Sequence, residues 1–422
     1  MNFLPRPSFA YPQRTASWYA GHMAKSLRQI GELLDDIDLV IEARDARLPL
    51  TSINRAFDDL LGQVWGPRWE DKDGDVVGMV DRKGKLREKV VVYTKRDLAE
   101  EKYEQPLIKA FKDKLDQRVV FVDNREDKDV RELLRIAVNA AKANRSSMLD
   151  MRVLVVGMPN VGKSSLLNAL RRVGVKRGKH FTTGAMPGVT RKLAGVVKIH
   201  RDPTVYVYDT PGVMVPFLGH GELGAERGIK FALTAGIKED LFEPEIAVDY
   251  LLWRMNQRLV AERDLPPEQR SPSYVEALPL PPSFTEPTED LATLLDPLCA
   301  KIGALQKGGI PDYNQGYAFI QKWFRDGKLG RWTFDHLAPT GCTGEELDWK
   351  VWQSVSEYMA LMEAQQAEAA RGEGLSGAQM KKREKAEREE KRAARYRRLR
   401  EEKAASMDRL NKIASAKQSG RR

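Results

Sequence analysis

Apolar residues along this chain fall alternately into short continuous runs and longer stretches of helical period. Leu27, Ile30, Leu33 and Leu34 recur at helical spacing, so residues 18–35 read as a short loop followed by a helix. Asp38-Leu39-Val40-Ile41-Glu42-Ala43 reads as a buried strand, followed by Arg44-Asp45-Ala46-Arg47. Residues 90–93, 119–122, 152–156 and 205–208 read as further strands, and residues 53–61, 103–115, 129–143 and 163–172 as helices. Strands alternating with helices form a parallel sheet covered on both faces, which makes the expected fold class α/β. Residues 62–89, rich in charge and holding Gly66, Pro67, Gly74, Gly78 and Gly84, read as an insertion loop or hairpin. Residues 173–192 read as a flexible basic stretch. From about residue 222 the pattern turns helical; 262–288, with seven prolines, reads as a linker or mobile loop, and 289–364 as helical again.

Charge divides the chain unevenly. Residues 371–422 hold 18 Lys/Arg against 8 Asp/Glu, which accounts for the whole net charge of +10. From 376 to about 415, Glu and Lys/Arg alternate at helical spacing, as in Glu384/Arg388 and Glu387/Lys391. Such a tail is a solvent-exposed helix with no core of its own; it either meets RNA or another polyanion or is simply solvated. At the other end, Arg6, Arg14, Lys25 and Arg28 precede the first acidic residue, Glu32. An acid-free, Arg-containing start resembles an organelle presequence, although Pro5, Pro7 and Pro12 break any amphipathic helix before Ala16. Cys299 and Cys342 lie far apart without metal-ligand spacing, which argues against a disulfide framework. No apolar run reaches the roughly eighteen residues that a membrane-spanning helix needs.

Three short segments carry chemistry. Gly157-Met158-Pro159-Asn160-Val161-Gly162-Lys163-Ser164, followed by Ser165, fits a P-loop and lies between a strand and a helix as that motif requires. Backbone N–H groups and the helix N-terminus would hold phosphates there, Lys163 would bridge the β- and γ-phosphates, and Ser164 would bind Mg²⁺. Asp209-Thr210-Pro211-Gly212 follows a strand; Asp209 can hold Mg²⁺ through water and the Gly212 N–H can reach the γ-phosphate. Thr94-Lys95-Arg96-Asp97 also follows a strand. Asp97 can accept from the N1 and N2 donors of guanine, a donor pair adenine lacks, while the stem of Lys95 covers the purine face.

These motifs resemble the phosphate, Mg²⁺ and guanine-specificity motifs of the GTPase superfamily. The specificity motif ordinarily comes last, but here it precedes the P-loop. That order resembles the circularly permuted GTPases, and among them the YlqF family of ribosome-biogenesis factors. Trp18-Tyr19-Ala20-Gly21-His22-Met23-Ala24-Lys25, Asp45-Ala46-Arg47-Leu48-Pro49, the switch I segment Pro187-Gly188-Val189-Thr190 and Lys328-Leu329-Gly330-Arg331 resemble further signatures of the family. Four departures stand out: Thr94 replaces the usual Asn, Ala20 replaces a proline, Asp123-Asn124 occupies the place of a small Ser-Ala-type loop, and Val213 stands where many GTPases have a water-orienting Gln.

The resemblance implies a circularly permuted G domain over 17–221 with the insertion 62–89, a helical C-terminal domain over 222–370 containing the loop 262–288, and a basic helical or disordered tail over 371–422. Residues 1–16 would be a separate N-terminal segment, a candidate presequence. It further implies hydrolysis of GTP to GDP and phosphate, stimulated by ribosomal subunits, with GTP docking the protein on the large subunit and its rRNA. The nucleotide-binding set would be Thr94, Lys95, Asp97, Asn160, Val161, Gly162, Lys163, Ser164, Ser165 and Gly212, with Ser164, Thr190 and Asp209 around Mg²⁺. His22 either orients the attacking water or orders its loop. Asn160 either ligates a K⁺ beside the phosphates or only stabilises the loop. Lys230, Lys238, Arg254 and Arg258 are either rRNA phosphate contacts or a solvated helix face. The expected setting is the mitochondrial matrix, with peripheral contact to the inner membrane, or else the cytosol; the expected state is a monomer. Two other readings are an RNA-binding scaffold that keeps GTP as a structural ligand, and a P-loop kinase or ATPase, against which Asp97 and the permuted order speak.

Overall fold

The computed structural model describes residues 3–12, 21–66, 68–70, 76–80, 86–143, 150–175, 195–213, 218–219, 221–237 and 242–371. Met1–Tyr358 and Met359–Arg422 form two compact units. In chain order the first unit runs α1 (Gly21–Leu34), β1 (Leu39–Asp45), α2 (Arg55–Trp65), β2 (Arg68–Glu70), β3 (Val76–Val80), β4 (Leu86–Thr94), α3 (Glu104–Leu115), β5 (Arg118–Val122) and α4 (Asp127–Ala143). It continues with β6 (Asp150–Gly157), α5 (Lys163–Gly174), β7 (Val196–Arg201) and β8 (Thr204–Asp209). Thereafter the named elements are helical: α6 (Gly221–Leu233), α7 (Pro244–Ala261), the single turn α8 (Tyr274–Ala277), α9 (Leu291–Ile302), α10 (Tyr313–Arg325) and α11 (Gly344–Arg371).

The main sheet has the spatial order β5-β4-β1-β6-β8-β7, parallel except for β7, which pairs antiparallel with β8. The expected insertion is a hairpin of β2 and β3 that continues antiparallel onto the start of β4, with Met79 opposite Arg87. The strand that leads into the P-loop, β6, is central in space although β1, β4 and β5 precede it in the chain. The permuted order is therefore visible as topology: the half of the sheet that ends in Thr94-Lys95-Arg96-Asp97 comes first in sequence.

Every residue of β1 is buried, because both faces of the sheet are covered. Val40, Leu154 and Val156 meet Ile30 and Leu34 of α1 and Phe57, Leu61 and Trp65 of α2 on one face. Leu39, Ile41, Val153 and Val155 point the other way, into a core shared with Val130 and Leu133 of α4, Leu166 and Leu170 of α5, and the later helices. Burial of each such large aliphatic side chain contributes on the order of 1.5–3 kcal/mol.

Several expectations change here. The strand β7 falls just after the stretch expected to be flexible, of which residues 176–194 lie outside the described residues. The proline-rich stretch 262–288 packs onto the body: Tyr274 and Leu278 are buried, and Trp323 Nε1 donates to the Ala277 carbonyl at 2.9 Å. Prolines fix the backbone there without forbidding side-chain burial. Residues 3–12 also pack, since Arg6 pairs with Asp249 at 2.8 Å and Glu289 at 2.6 Å, and Phe9 is buried against Tyr250 and Trp253.

The expected rRNA contacts are corrected too. Lys230 is buried between Glu226 and Asp335, at 3.3 Å from each. Arg254 donates to Tyr250 Oη and the Phe334 carbonyl. Arg258 pairs with Glu100 at 3.1 Å and lies over the Trp332 ring. These three cations hold the fold together and offer nothing to a nucleic-acid backbone, while Lys238 lies outside the described residues.

Candidate active site

Loops leaving the carboxyl ends of β4, β6 and β8 converge at one edge of the sheet, where open α/β sheets bind their ligands. The P-loop turns through Asn160 at φ 56° and Gly162 at φ 96°. Asn is among the few side chains that tolerate the left-handed region, and Gly162 reaches it without a Cβ penalty. Helix α5 then starts at Lys163, with Ser164 and Ser165 exposed in its first turn. The Lys163 side chain is buried and its ammonium donates to the carbonyls of Gly157 at 3.2 Å and Met158 at 2.7 Å. Burial pushes its pKa down to about 8, against a small opposing pull from Asp209.

Ser164 Oγ lies 3.3 Å from Asp209 Oδ2, and Asp209 Oδ1 is buried with no hydrogen-bond partner among the described residues. An orphaned carboxylate oxygen beside a serine hydroxyl suits a hard divalent cation, which would take its remaining ligands from phosphate and water. The residues present therefore fit Mg²⁺. Thr210 Oγ1 donates to the Val155 carbonyl at 2.7 Å and pins the segment that follows Asp209. A Cβ on Gly212 would stand 2.7 Å from Pro159 Cα, so only glycine lets this segment approach the P-loop so closely. Val213 is fully buried; its N–H donates to the Gly157 carbonyl at 3.1 Å and its carbonyl accepts from Asn54 Nδ2 at 3.1 Å. Its side chain belongs to the core and cannot polarise water.

The loop that leaves β4 is tied to the P-loop twice. Thr94 Oγ1 reaches the carbonyls of both Arg44, at 3.0 Å, and Val161, and its single proton serves one of them at a time. Thr94 thus tethers the loop that leaves β4 to the P-loop. Lys95, at φ 57°, donates to the Asn160 carbonyl at 2.7 Å and to Asp45 Oδ2 at 2.9 Å. Burial pulls the Lys95 ammonium down and Asp45 opposes it. For Asp45, burial alone would raise the carboxyl, but Arg47 and Lys95 hold it well below the usual carboxylate range. Asp97 lies in a turn at residues 96–98, half-buried; burial, then the neighbouring Asp123, push its pKa up. Arg125 reaches it with an Nη2–Oδ2 distance of 2.5 Å.

Sequence reasoning missed the structural partners of this loop. Asp45 and Arg47 were visible as a motif, but not their ion pair with each other and with Lys95. The segment after Lys328-Leu329-Gly330-Arg331 docks directly on the segments that follow β4 and β1: Trp332 N–H donates to the Leu98 carbonyl at 2.8 Å and Phe334 N–H to the Arg47 carbonyl at 2.9 Å. Asp335 accepts from the N–H groups of Leu50 and Thr51 and from the Thr51 hydroxyl. The structure brings together Thr94, Lys95, Asp97, Asn160, Val161, Gly162, Lys163, Ser164, Ser165, Asp209 and Gly212. His22 falls in the first turn of α1, but its side chain lies outside the described residues, as does Thr190.

The sequence of residues 152–258 matches the family described as 50S ribosome-binding GTPase. The chain is 30% identical over 347 residues to mitochondrial ribosome-associated GTPase 1 of Xenopus tropicalis, covering 78% of this chain and 98% of that protein. It is also 30% identical over 360 residues to mitochondrial GTPase 1 of Schizosaccharomyces pombe, covering 80% of this chain and 94% of that one. A GNP-bound crystal structure of YlqF from T. maritima aligns with TM-score 0.44 and 22% identity over 74% of this chain and 97% of that chain. The identity and the near-complete coverage of these relatives, together with a P-loop on the central strand, establish that the chain belongs to the mitochondrial ribosome-associated GTPase 1 family and is a GTP-binding, GTP-hydrolysing enzyme.

Proposed function

We propose that the protein is an assembly factor for the large ribosomal subunit of mitochondria, docking with GTP and leaving after hydrolysis. The observation that supports the nucleotide half of this reading is the junction of Thr94 with the Val161 carbonyl and of Lys95 with the Asn160 carbonyl, a tie that a base-reading loop and a phosphate loop serving one nucleotide would need. The ribosomal half rests on family membership. Asp97 reads guanine, and Asn160, Val161, Gly162, Lys163, Ser164, Ser165 and Gly212 hold the phosphates. Ser164, Thr190 and Asp209 hold Mg²⁺, which when bound offsets charge on the phosphate oxygens. Since Val213 is sealed in the core, the water must be oriented from elsewhere, and His22 is the group assigned to it. A K⁺ on Asn160 would lower the barrier further by facing charge that develops at the phosphates.

In this reading the chain is organised as a G domain over 17–221 followed by a helical domain over 222–370, and it acts as a monomer on the matrix side. The basic tail 371–422 meets rRNA or the headgroups of the inner membrane. Nucleotide state reaches the helical domain by two routes, through Gly212 into α6 and through the base-reading loop into Trp332 and Phe334. The test is sedimentation of tagged protein on a gradient of mitochondrial ribosomal particles. Co-migration with large-subunit precursors in a non-hydrolysable GTP analogue, and release in GDP, is expected. Migration at the top of the gradient in both states would overturn the proposal. Phosphate release measured with and without large subunits tests the expected stimulation.

A further inference from the structure

We propose that Arg125 is a second base-reading residue of the GTP site, supplying the donor that recognises guanine O6. The inference rests on the reading that Asp97 pairs with guanine N1 and N2. Arg125 follows Asp123-Asn124, the pair that stands in place of the small loop expected beside the base. Its guanidinium spans two carboxylates: Nη2 lies 2.5 Å from Asp97 Oδ2 and 3.0 Å from Asp123 Oδ2. Nε donates to Asp123 Oδ1 at 3.1 Å, and the backbone N–H of Arg125 donates to the same oxygen at 2.9 Å.

The two anchors are unequal. Asp123 takes three hydrogen bonds from Arg125 and is itself fixed, because its N–H donates to Asp129 Oδ2 at 2.9 Å and Asp129 is held by Arg96 at 3.0 Å. Asp97 takes a single contact. A guanine that brings its N1 and N2 donors to Asp97 competes with that one contact and leaves the Asp123 leash intact. The guanidinium then stays at the Watson–Crick edge of the base. Nη1 has no hydrogen bond among the described residues, and the Arg125 side chain is 72% exposed, so it turns without disturbing the core. The group next to N1 on guanine is the O6 acceptor; on adenine it is an amino donor. Arginine has donors only, so it attracts the first and opposes the second. Arginine paired with the guanine O6/N7 edge is the commonest specific contact in another setting, protein–DNA recognition, for the same reason.

The experiment measures GDP, IDP and ADP binding to the full chain with Mg²⁺, by competition with a fluorescent GDP, for wild type, Arg125→Ala and Arg125→Lys. Thermal melting shows that the variants are folded. For Arg125→Ala, GDP and IDP, which share O6, should each weaken about tenfold, while ADP holds or tightens, so that base discrimination shrinks. Arg125→Lys should recover part of the GDP affinity, because one donor remains. Unchanged GDP binding, tighter GDP binding, or an equal loss for GDP and ADP would overturn the role of Arg125; tighter binding would mean that the arginine only competes for Asp97. If wild type itself binds GDP no better than ADP, the Asp97 reading fails, and the Arg125 proposal falls with it.

Discussion

The side-chain amide of Asn160 donates to the Ala235 carbonyl at 2.8 Å, while the Asn160 carbonyl accepts from Lys95 at 2.7 Å. Ala235, two residues beyond α6, is in a left-handed conformation, φ 59°, which a non-glycine residue adopts only when its surroundings hold it there. One P-loop residue therefore joins the P-loop, the loop that leaves β4 and the turn that follows α6. Asn160→Ala should lower stability by about 1 kcal/mol, the usual worth of one hydrogen bond. With its Nδ2 engaged, the Oδ1 of the same amide is the group proposed to hold K⁺. Replacing Na⁺ by K⁺ should raise turnover in the wild type and not in Asn160→Ala; equal stimulation of both proteins would remove Asn160 from that role.

Substituting Asp97 changes which donors the base must offer. Asp97→Asn presents an amide where a carboxylate would accept two hydrogen bonds, so preference should move from GTP toward xanthosine triphosphate. Competition of GTP, ATP and xanthosine triphosphate for the two proteins checks this. If GTP and ATP compete equally for the wild type, guanine reading by Asp97 is wrong.

Lys163 predicts a pH dependence of nucleotide binding. Its pKa of about 8 lies below the ordinary lysine value because the ammonium is buried. Phosphates favour the charged form and raise it on binding, so above pH 8 binding takes up a proton. Affinity is then full below about pH 8 and falls as the pH rises, by up to about tenfold per unit. Folding of the free protein has the opposite sign: the folded value lies below the unfolded one, so this group adds stability as the pH climbs from about 8 toward the lysine range. Titration calorimetry with GDP between pH 7 and pH 9 tests the binding side. A profile in Lys163→Arg as steep as in the wild type would mean that another group titrates. Lys163→Ala should damage binding at every pH.

His22→Ala should leave GTP affinity nearly intact and lower turnover by about tenfold to a thousandfold, most clearly with ribosomal subunits present. Hydrolysis on subunits as fast as in wild type would assign His22 a structural role only.

Removing residues 371–422 takes away the net charge of +10 and should weaken binding to RNA or subunits and flatten its salt dependence. An unchanged slope of affinity against salt would mean that the tail is only a solvated helix.

The parts of the fold legible in the sequence are those dictated by local pattern. Residues 90–93 and 153–156 are apolar throughout because both faces of a central parallel strand are covered, and each run ends where a loop with chemistry begins. The strand β7 escaped because it is an edge strand: Lys198 faces solvent, and only Ile199 is buried in a run that follows a basic stretch. Tyr274 and Leu278 were hidden among prolines. Lys230, Arg254 and Arg258 looked like free cations because their partners Asp335, Phe334 and Glu100 lie far away in the chain. Arg125 was passed over for the same reason: its meaning comes from Asp97, on another strand's loop.

The strand order has a consequence for biosynthesis. A chain leaving the ribosome N-terminus first delivers β1, β4 and β5 before β6, so β1 pairs with β4 while its other edge, from Leu39 to Ala43, waits for Val153 to Gly157. In the interval the growing polypeptide carries an open apolar strand edge, a template for pairing with another chain. The loop that leaves β4 exists by then, but Thr94 has no Val161 carbonyl to hold and Lys95 no Asn160. Nascent chains of this enzyme should therefore gain protease resistance from GTP only after the P-loop and the segment around Asp335 have cleared the exit tunnel, and should depend on chaperones until then.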